Sequence, residues 1–386
     1  MKRSTGRILT THAGSLPRPK DLQDLIRARL NGETYEQDAL SRQVETAVKD
    51  SVRWQAEAGI DIISDGEQGK EGFLLYGNRR LDGFELVELQ PGQTPRAPRR
   101  DQLAFAEFYE EYFKTEGDGG NRRQPVCSGP ITYIGQDAVQ RDIETFKGAL
   151  QAVDTEEAFI PAIAPGTFGR GQNRYYSSEA EFLFAIAEAM KEEYRAIIDA
   201  GFILQIDDPG LPDTWDTLEP EPSVAEYQKY AAVRIEALNH ALAGLPQDRV
   251  RYHICWGSWH GPHSTDIPLK DVLGLLLQVT AGAYSIEGAN PRHEHEWRVR
   301  EETKFPEGKI LIPGVIAHTT NTIEHPELVA ARIVNFARLV GKENVIAGTD
   351  CGFSQRALNP RLHPSIVWAK LRALSGGAAL ATKQLW

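Results

Sequence analysis

The chain has 386 residues, 41% of them hydrophobic, 34 of them glycine, and a net charge of −11 from 43 basic and 54 acidic side chains. A chain of this length buries a substantial core, as one large α/β barrel or as two domains, and this composition excludes a disordered protein. The acidic balance, with no stripe of Lys and Arg, argues against a nucleic-acid partner, and no run of about eighteen apolar residues is present to cross a membrane.

Residues 1–15 carry basic side chains without the apolar centre of a secretory signal. From there on, short β-branched runs alternate with long amphipathic stretches, the pattern of a parallel sheet wrapped by helices. Strands are expected in "RILTTHAGS" (7–15), "IDIISDGE" (60–67), "AFIPAIAPG" (158–166) and "FILQIDDPG" (202–210). Four more are expected in "VRYHICWG" (250–257), "AYSIEGAN" (283–290), "ILIPGVIAH" (310–318) and "NVIAGTDCG" (344–352). Helices are expected at 36–58, 178–200, 223–243 and 326–341, the last opening on Pro326 and stopping near Gly341. Eight such units predict a single (β/α)8 TIM barrel over residues 1–386.

The stretch 70–127 breaks the rhythm, being long and rich in Arg, Pro and Gly. It reads as an insertion after the second strand, holding an aromatic and acidic helix, "AFAEFYEEYF". "PVCSGPITYIG" reads as an extra strand beside the barrel. Insertions at that end of a barrel commonly act as lids.

Nearly every expected strand ends in a polar or ionisable residue: His12 and Ser15, Asp65 and Glu67, Asp207 and Asp208, His253 and Cys255, Glu287, His318, then Asp350 and Cys351. In a parallel barrel these ends open on one face, where active sites are assembled. His253, Cys255, Glu287 and Cys351 together form a donor set suited to Zn²⁺, with a displaceable carboxylate leaving room for substrate. The competing reading makes Cys255 and Cys351 small core residues and His253 a hydrogen-bonded one. Thiolate ligands and a cysteine count of three fit a reducing, cytoplasmic setting. Cys127 lacks a metal-type neighbour in sequence and reads as a packed thiol. His293 and His295, in "RHEHE", read as solvated surface, and His12 as structural. Asp350 reads as support for a ligand or as a helix cap, and Trp256, Trp259 and His260 as candidate walls of the pocket.

The segments "THAGSLPRP", "SDGEQGK", "QIDDPGLP", "HICWG", "IEGANP", "IPGVIAH" and "GTDCGF", in this order, resemble the catalytic barrel of cobalamin-independent methionine synthase. The compact chain is most similar to short, single-barrel relatives of that family, a group that includes epoxyalkane:coenzyme M transferases. The resemblance implies Zn²⁺ on His253, Cys255, Glu287 and Cys351, and His318 as the acid that protonates the leaving group. It also implies Ser15, Glu67 and Asp207 as holders of the amino-acid end of homocysteine, and methyl transfer to the thiol sulfur.

This sequence departs from the synthase in having length for one barrel, and "TFGRGQNRYY" (167–176) lacks the tryptophan that faces the pterin there. The expected partners are therefore a small-molecule thiol, homocysteine or one like coenzyme M, and an alkyl donor that is a folate, a corrinoid-bound methyl, another small methylated molecule or an epoxide. A homo-oligomer is an open expectation. A sulfonate-bearing thiol would call on Arg79, Arg80, Arg170 or Arg174. A metal-free enzyme of the uroporphyrinogen-decarboxylase type is the remaining alternative.

Overall fold

A computed structural model describes residues 1–89, 97–116, 123–299, 303–358 and 360–386. Its centre is a sheet of eight parallel strands: β1 (Leu9–Thr10), β2 (Ile62–Ser64), β5 (Glu157–Ile163), β7 (Ile203–Asp207), β8 (Val250–Ile254), β9 (Ala283–Ile286), β10 (Ile310–Ile316) and β11 (Ile346–Thr349). They run in the order β1-β11-β10-β9-β8-β7-β5-β2. A parallel bridge between Thr11 and Ile62 joins the two end strands, which closes the ring into the expected barrel.

The four expected helices form at Gln37–Glu57, Glu179–Asp199, Val224–Leu242 and Pro326–Val340. Their ends have local causes. The Ser178 hydroxyl accepts the Glu181 N–H, and Ser223 and Glu226 make a reciprocal capping box. Pro326 sits in the first turn of its helix, and Gly341 leaves that helix at φ +87°, a conformation other residues rarely take.

Insertion elements follow β2. Strand β3 (Leu81–Glu88) pairs antiparallel with β4 (Arg123–Tyr133), and the short β6 (Gln172–Asn173) adds to the far edge of β4. The extra strand expected in 125–135 is β4, which continues past the expected boundary at 127. Its partner β3 has no clear alternation of apolar and polar residues, because most of its side chains are partly or fully exposed. The aromatic helix is broken at Phe105 into Arg100–Ala104 and Ala106–Glu116. Cys127 is fully buried in the hairpin, packed as expected.

The barrel interior is layered. Leu9, Ile62, Phe159, Ile203, Ala283, Ile310, Ile312 and Ile346, from the first residues of their strands, form an apolar floor. Above them lies buried Arg251, its guanidinium carbon 3.4 Å from the centre of the Phe159 ring. It donates to Gln205 Oε1 (2.6 Å), Thr11 Oγ1 (2.9 Å) and the His12 carbonyl (2.7 Å). This polar layer separates the floor from the polar strand ends above.

Candidate active site

Neighbouring strands bring distant residues together. In β8 and β9, His253 stands level with Ser285 in register, and Asp207, the last residue of β7, stands level with His253. Cys255 and Glu287 lie one residue beyond β8 and β9, and His318 and Cys351 two residues beyond β10 and β11. Since β7 to β11 are consecutive around the ring, these five ends face one another.

The ligating atoms of His253, Cys255 and Cys351 lie within 4.8 Å of one another, all buried. The two sulfurs are 3.3 Å apart, too far for a disulfide and close enough to share a proton or an ion. His253 Nδ1 meets Ser285 Oγ at 3.1 Å, whereas its buried Nε2 has no hydrogen-bond partner among the described residues. A buried imidazole nitrogen without a partner is costly unless something accepts its lone pair, and a zinc ion beside two thiolates would do so. The residues present therefore fit Zn²⁺.

Electrostatics divide the pair of thiols. The hydrogen bond from Cys255 holds the Cys351 pKa well below the usual thiol range, against burial and with help from His253. The same bond, together with burial, pushes Cys255 up. Ser258 Oγ (3.3 Å) and Gln355 Nε2 (3.5 Å) also donate to Cys351 Sγ. Neither was legible in the sequence, because each is an ordinary polar residue in a loop.

Glu287, His318 and Asp350 make a second buried group, again with ligating atoms within 4.8 Å of one another. Glu287 accepts from Trp256 N (2.9 Å) and Asn290 Nδ2 (3.0 Å). The expected fourth ligand is thus anchored to the residue after Cys255, and in this arrangement it groups with His318 and not with the His–Cys–Cys triad. Neither ring nitrogen of buried His318 has a hydrogen-bond partner among the described residues, and burial lowers its pKa.

Asp350 caps no helix. Its Oδ1 accepts the N–H groups of Gly288 (2.9 Å) and Ala289 (2.8 Å), fastening the loop that carries Glu287 to the loop that carries Cys351. A side chain at Gly314 would collide with this carboxylate, which is why β10 has a glycine there.

The three expected substrate-holding residues lie beside this group, Asp207 level with His253 and Ser15 against the loop after Cys351. Burial raises the pKa of Asp207 to about 8, with the nearby charges of Glu67 and Cys351 adding to the shift. Its Oδ1 accepts from Gln205 Nε2 at 2.6 Å. Glu67 is buried, its pKa also raised by burial, and its backbone is left-handed at φ +56°, a strained conformation for a glutamate. A Cβ at Gly14 would lie 2.6 Å from Glu67 Oε1, so the glycine makes room for this carboxylate. Ser15 Oγ accepts the Ser354 N–H (3.2 Å), tying the end of β1 to the loop after Cys351 while its own proton remains available to donate. His12 is structural: Nε2 meets Gln55 Oε1 at 2.7 Å, and burial lowers its pKa to about 3.

Two expectations are overturned. His295 is exposed, but His293 is buried, and sequence charge misled because His293 and Glu296 turn inward while Arg292, Glu294 and Arg298 stay at the surface. His293 Nδ1 meets Glu296 Oε2 at 2.8 Å and Nε2 meets Asp266 Oδ2 at 3.0 Å, and the same Asp266 oxygen meets His263 Nδ1 at 2.8 Å. The two rings stack on the indoles of Trp256 and Trp259, with centroids 4.0 and 3.9 Å apart. The repeated His-x-x-acid spacing of "HSTD" and "HEHE" was the available signal. Trp256 is core rather than wall, fully buried with Nε1 donating to the Ile267 carbonyl (2.7 Å).

The insertion reaches this network. Trp259 Nε1 donates to Tyr109 Oη (2.8 Å), which donates to Asp101 (2.7 Å), and Asp101 accepts from Ser264 N (3.0 Å) and Oγ (2.5 Å). Of the arginines a sulfonate would need, Arg79 is paired with Glu71 (2.5 Å), Arg80 with Asp142 (2.5 Å) and Arg170 with Asp213 (2.6 Å). Arg174 is exposed.

Comparison with known proteins follows the same lines. The family profile described as the catalytic domain of cobalamin-independent synthase matches residues 168–363, just over half of the chain. A methionine synthase of Sulfurisphaera tokodaii is 25% identical over 97% of this chain and 93% of its own length. One from Saccharolobus solfataricus is 25% identical over 97% and 95%. A B12-independent methionine synthase from Shewanella sp. W3-18-1, solved with selenomethionine, shares the fold with a TM-score of 0.72 at 22% identity, covering 98% of this chain and 99% of that one.

Proposed function

Because the chain belongs to the cobalamin-independent methionine synthase family, we propose that it transfers a methyl group to the sulfur of homocysteine or a closely related amino-acid thiol, with Zn²⁺ as cofactor. The observation that carries this reading is the meeting of His253, Cys255 and Cys351 around the unpartnered His253 Nε2. These three would hold the ion, and Glu287 would be the exchangeable fourth ligand. When bound, the zinc supplies the Lewis acidity that favours the thiolate form of an added thiol at neutral pH.

The remaining work falls to the protein's own groups. Glu67 and Asp207 would receive the substrate ammonium, whose positive charge would offset the burial that raises both pKa values. The Ser15 hydroxyl would donate to the substrate carboxylate. His318, neutral because burial lowers its pKa, would take the proton shed by the thiol and return it to the departing atom. In that exchange the sulfur lone pair forms the new S–C bond as the bond from methyl to its leaving atom breaks and leaves its electron pair there; a leaving nitrogen or oxygen takes the proton from His318, whereas a leaving cobalt keeps the pair unprotonated.

The insertion, docked on the loop after Cys255 through Tyr109 and Asp101, would cover the site and exclude water. A sulfonate thiol is the weaker reading, since Arg79, Arg80 and Arg170 are already engaged with carboxylates. A reducing, cytoplasmic setting belongs to the proposal because both cysteines must stay free; no described helix is long and apolar enough to cross a membrane.

The test is X-ray absorption at the zinc edge on protein loaded with zinc, before and after homocysteine, alongside an assay for methionine with methylfolate or a methylated corrinoid. A new zinc–sulfur contact and methionine formation are expected. Cys351→Ser is expected to cut bound zinc from one equivalent to well under half after dialysis. Full zinc retention in that variant would sink the proposed ligand set.

A further inference from the structure

We infer that Glu324 and Lys370, a buried ion pair outside the site's first ring of residues, hold His318 in its working position; the inference rests on the reading of His318 given above. His318 follows β10, and its ring is fastened by no hydrogen bond among the described residues. Its place is therefore set by its backbone. The preceding residue, Ala317, donates its N–H to Glu324 Oε1 at 2.8 Å. The other carboxylate oxygen, Glu324 Oε2, receives Lys370 Nζ at 2.8 Å, and the same ammonium donates to the Thr322 carbonyl at 2.5 Å.

Lys370 comes from the C-terminal helix, Pro364–Leu385, and is completely buried. The loop 317–324 is thereby closed on itself by Glu324 and pinned at its far end to that helix.

Energetics give the pair a reason to be there. A buried Lys–Glu pair adds little stability over apolar residues of the same volume, because desolvation offsets the Coulomb attraction. A buried pair is therefore better explained by what it orients. Here one carboxylate satisfies the N–H next to His318 and one ammonium satisfies the loop carbonyl four residues beyond His318, so the strand end cannot shift without leaving the buried Ala317 N–H unpaired. Both are positioning residues; neither need touch substrate.

Two double variants separate orientation from charge. Glu324→Gln with Lys370→Met removes both charges yet keeps an acceptor for Ala317 N–H. Glu324→Leu with Lys370→Met removes the acceptor as well. The second is expected to lose at least tenfold in kcat and the first about threefold, the share that falls to the lost Lys370 tether, both with wild-type zinc content and thiol KM.

The independent readout is the His318 ring resonance in ¹⁵N-labelled zinc-loaded protein, assigned with His318→Gln. It is expected to shift or split in the leucine variant and to stay near its wild-type position in the glutamine variant. If the wild type forms no methionine, the proposed reaction fails and the resonance alone decides this inference. If the leucine variant does not fold, Glu324→Gln with Lys370 retained is expected to give the same ring shift, because the ammonium takes the amide oxygen and leaves only the NH2 group facing the Ala317 N–H, so that this variant too lacks the acceptor. A wild-type kcat with an unmoved ring in a folded variant lacking the acceptor overturns the inference; an unmoved ring does so where there is no activity to compare.

Discussion

Asp207 shows how one residue links burial, charge and binding. In the unfolded chain its carboxyl ionises near the ordinary value of 3.8, whereas in the fold it keeps its proton until about pH 8. Folding therefore takes up a proton between these values, and stability falls as pH rises through that window. Asp207→Asn is expected to flatten this slope and to raise the melting temperature above pH 8, measured by calorimetry. The same titration predicts tighter thiol binding as pH rises through about 8, because only the ionised carboxylate attracts an ammonium. A KM for homocysteine that is flat from pH 6 to 9 in the wild type would remove Asp207 from the proposed binding site. Motif likeness pointed to Asp207, but its protonation depends on neighbours from β2 and β11 that no local pattern names.

At the scale of elements, the loops after β8 and β9 are joined by the buried sequence His263–Asp266–His293–Glu296. Both nitrogens of His293 face carboxylates, so both must donate, and its pKa is raised to about 10 against the opposing effect of burial. A histidine raised above its ordinary 6.5 contributes stability that is fully present below pH 6.5 and lost as pH rises through about 10. His293→Gln is expected to cost on the order of 3 kcal/mol at pH 6. The difference from wild type should shrink toward pH 10, as read from denaturant midpoints. A cost independent of pH would mean that the ring matters only for its stacking on Trp256. The "HEHE" segment reads as surface on composition alone, since charge tells nothing of which way a turn faces.

For the molecule as a whole, the helices of the insertion are fastened to the loops of the barrel through polar contacts, of which Asp101 makes one set and Arg99, paired with Asp213, another. Asp101 accepts from Tyr109 in the insertion and from Ser264 in the loop after β8. Asp101→Ala is expected to raise amide exchange in 106–114 and 256–264 at least tenfold while the barrel strands keep their protection, measured by hydrogen–deuterium exchange. Under the lid reading, methionine formation should also become less efficient, with kcat/KM down tenfold or more. Unchanged exchange in 256–264 would show that this contact does not hold the two parts together.

The sequence by itself determined the barrel and the order of its strands, because eight apolar runs spaced by amphipathic helices leave few other ways to bury both faces of a parallel sheet. It also singled out His253, Cys255, Cys351 and His318 as candidates, since soft and ionisable residues at strand ends stand out against an apolar run. Tertiary structure alone decided the partners. The separation of the sulfurs, the protonation of Asp207, the pairing of β3 with β4, the burial of His293 and the attachment of Ala317 to Glu324 and Lys370 each depend on residues far apart in the chain. Local patterning encodes which face of an element is apolar; the distance between two strand ends, and the field each side chain feels, exist only once the ring has closed.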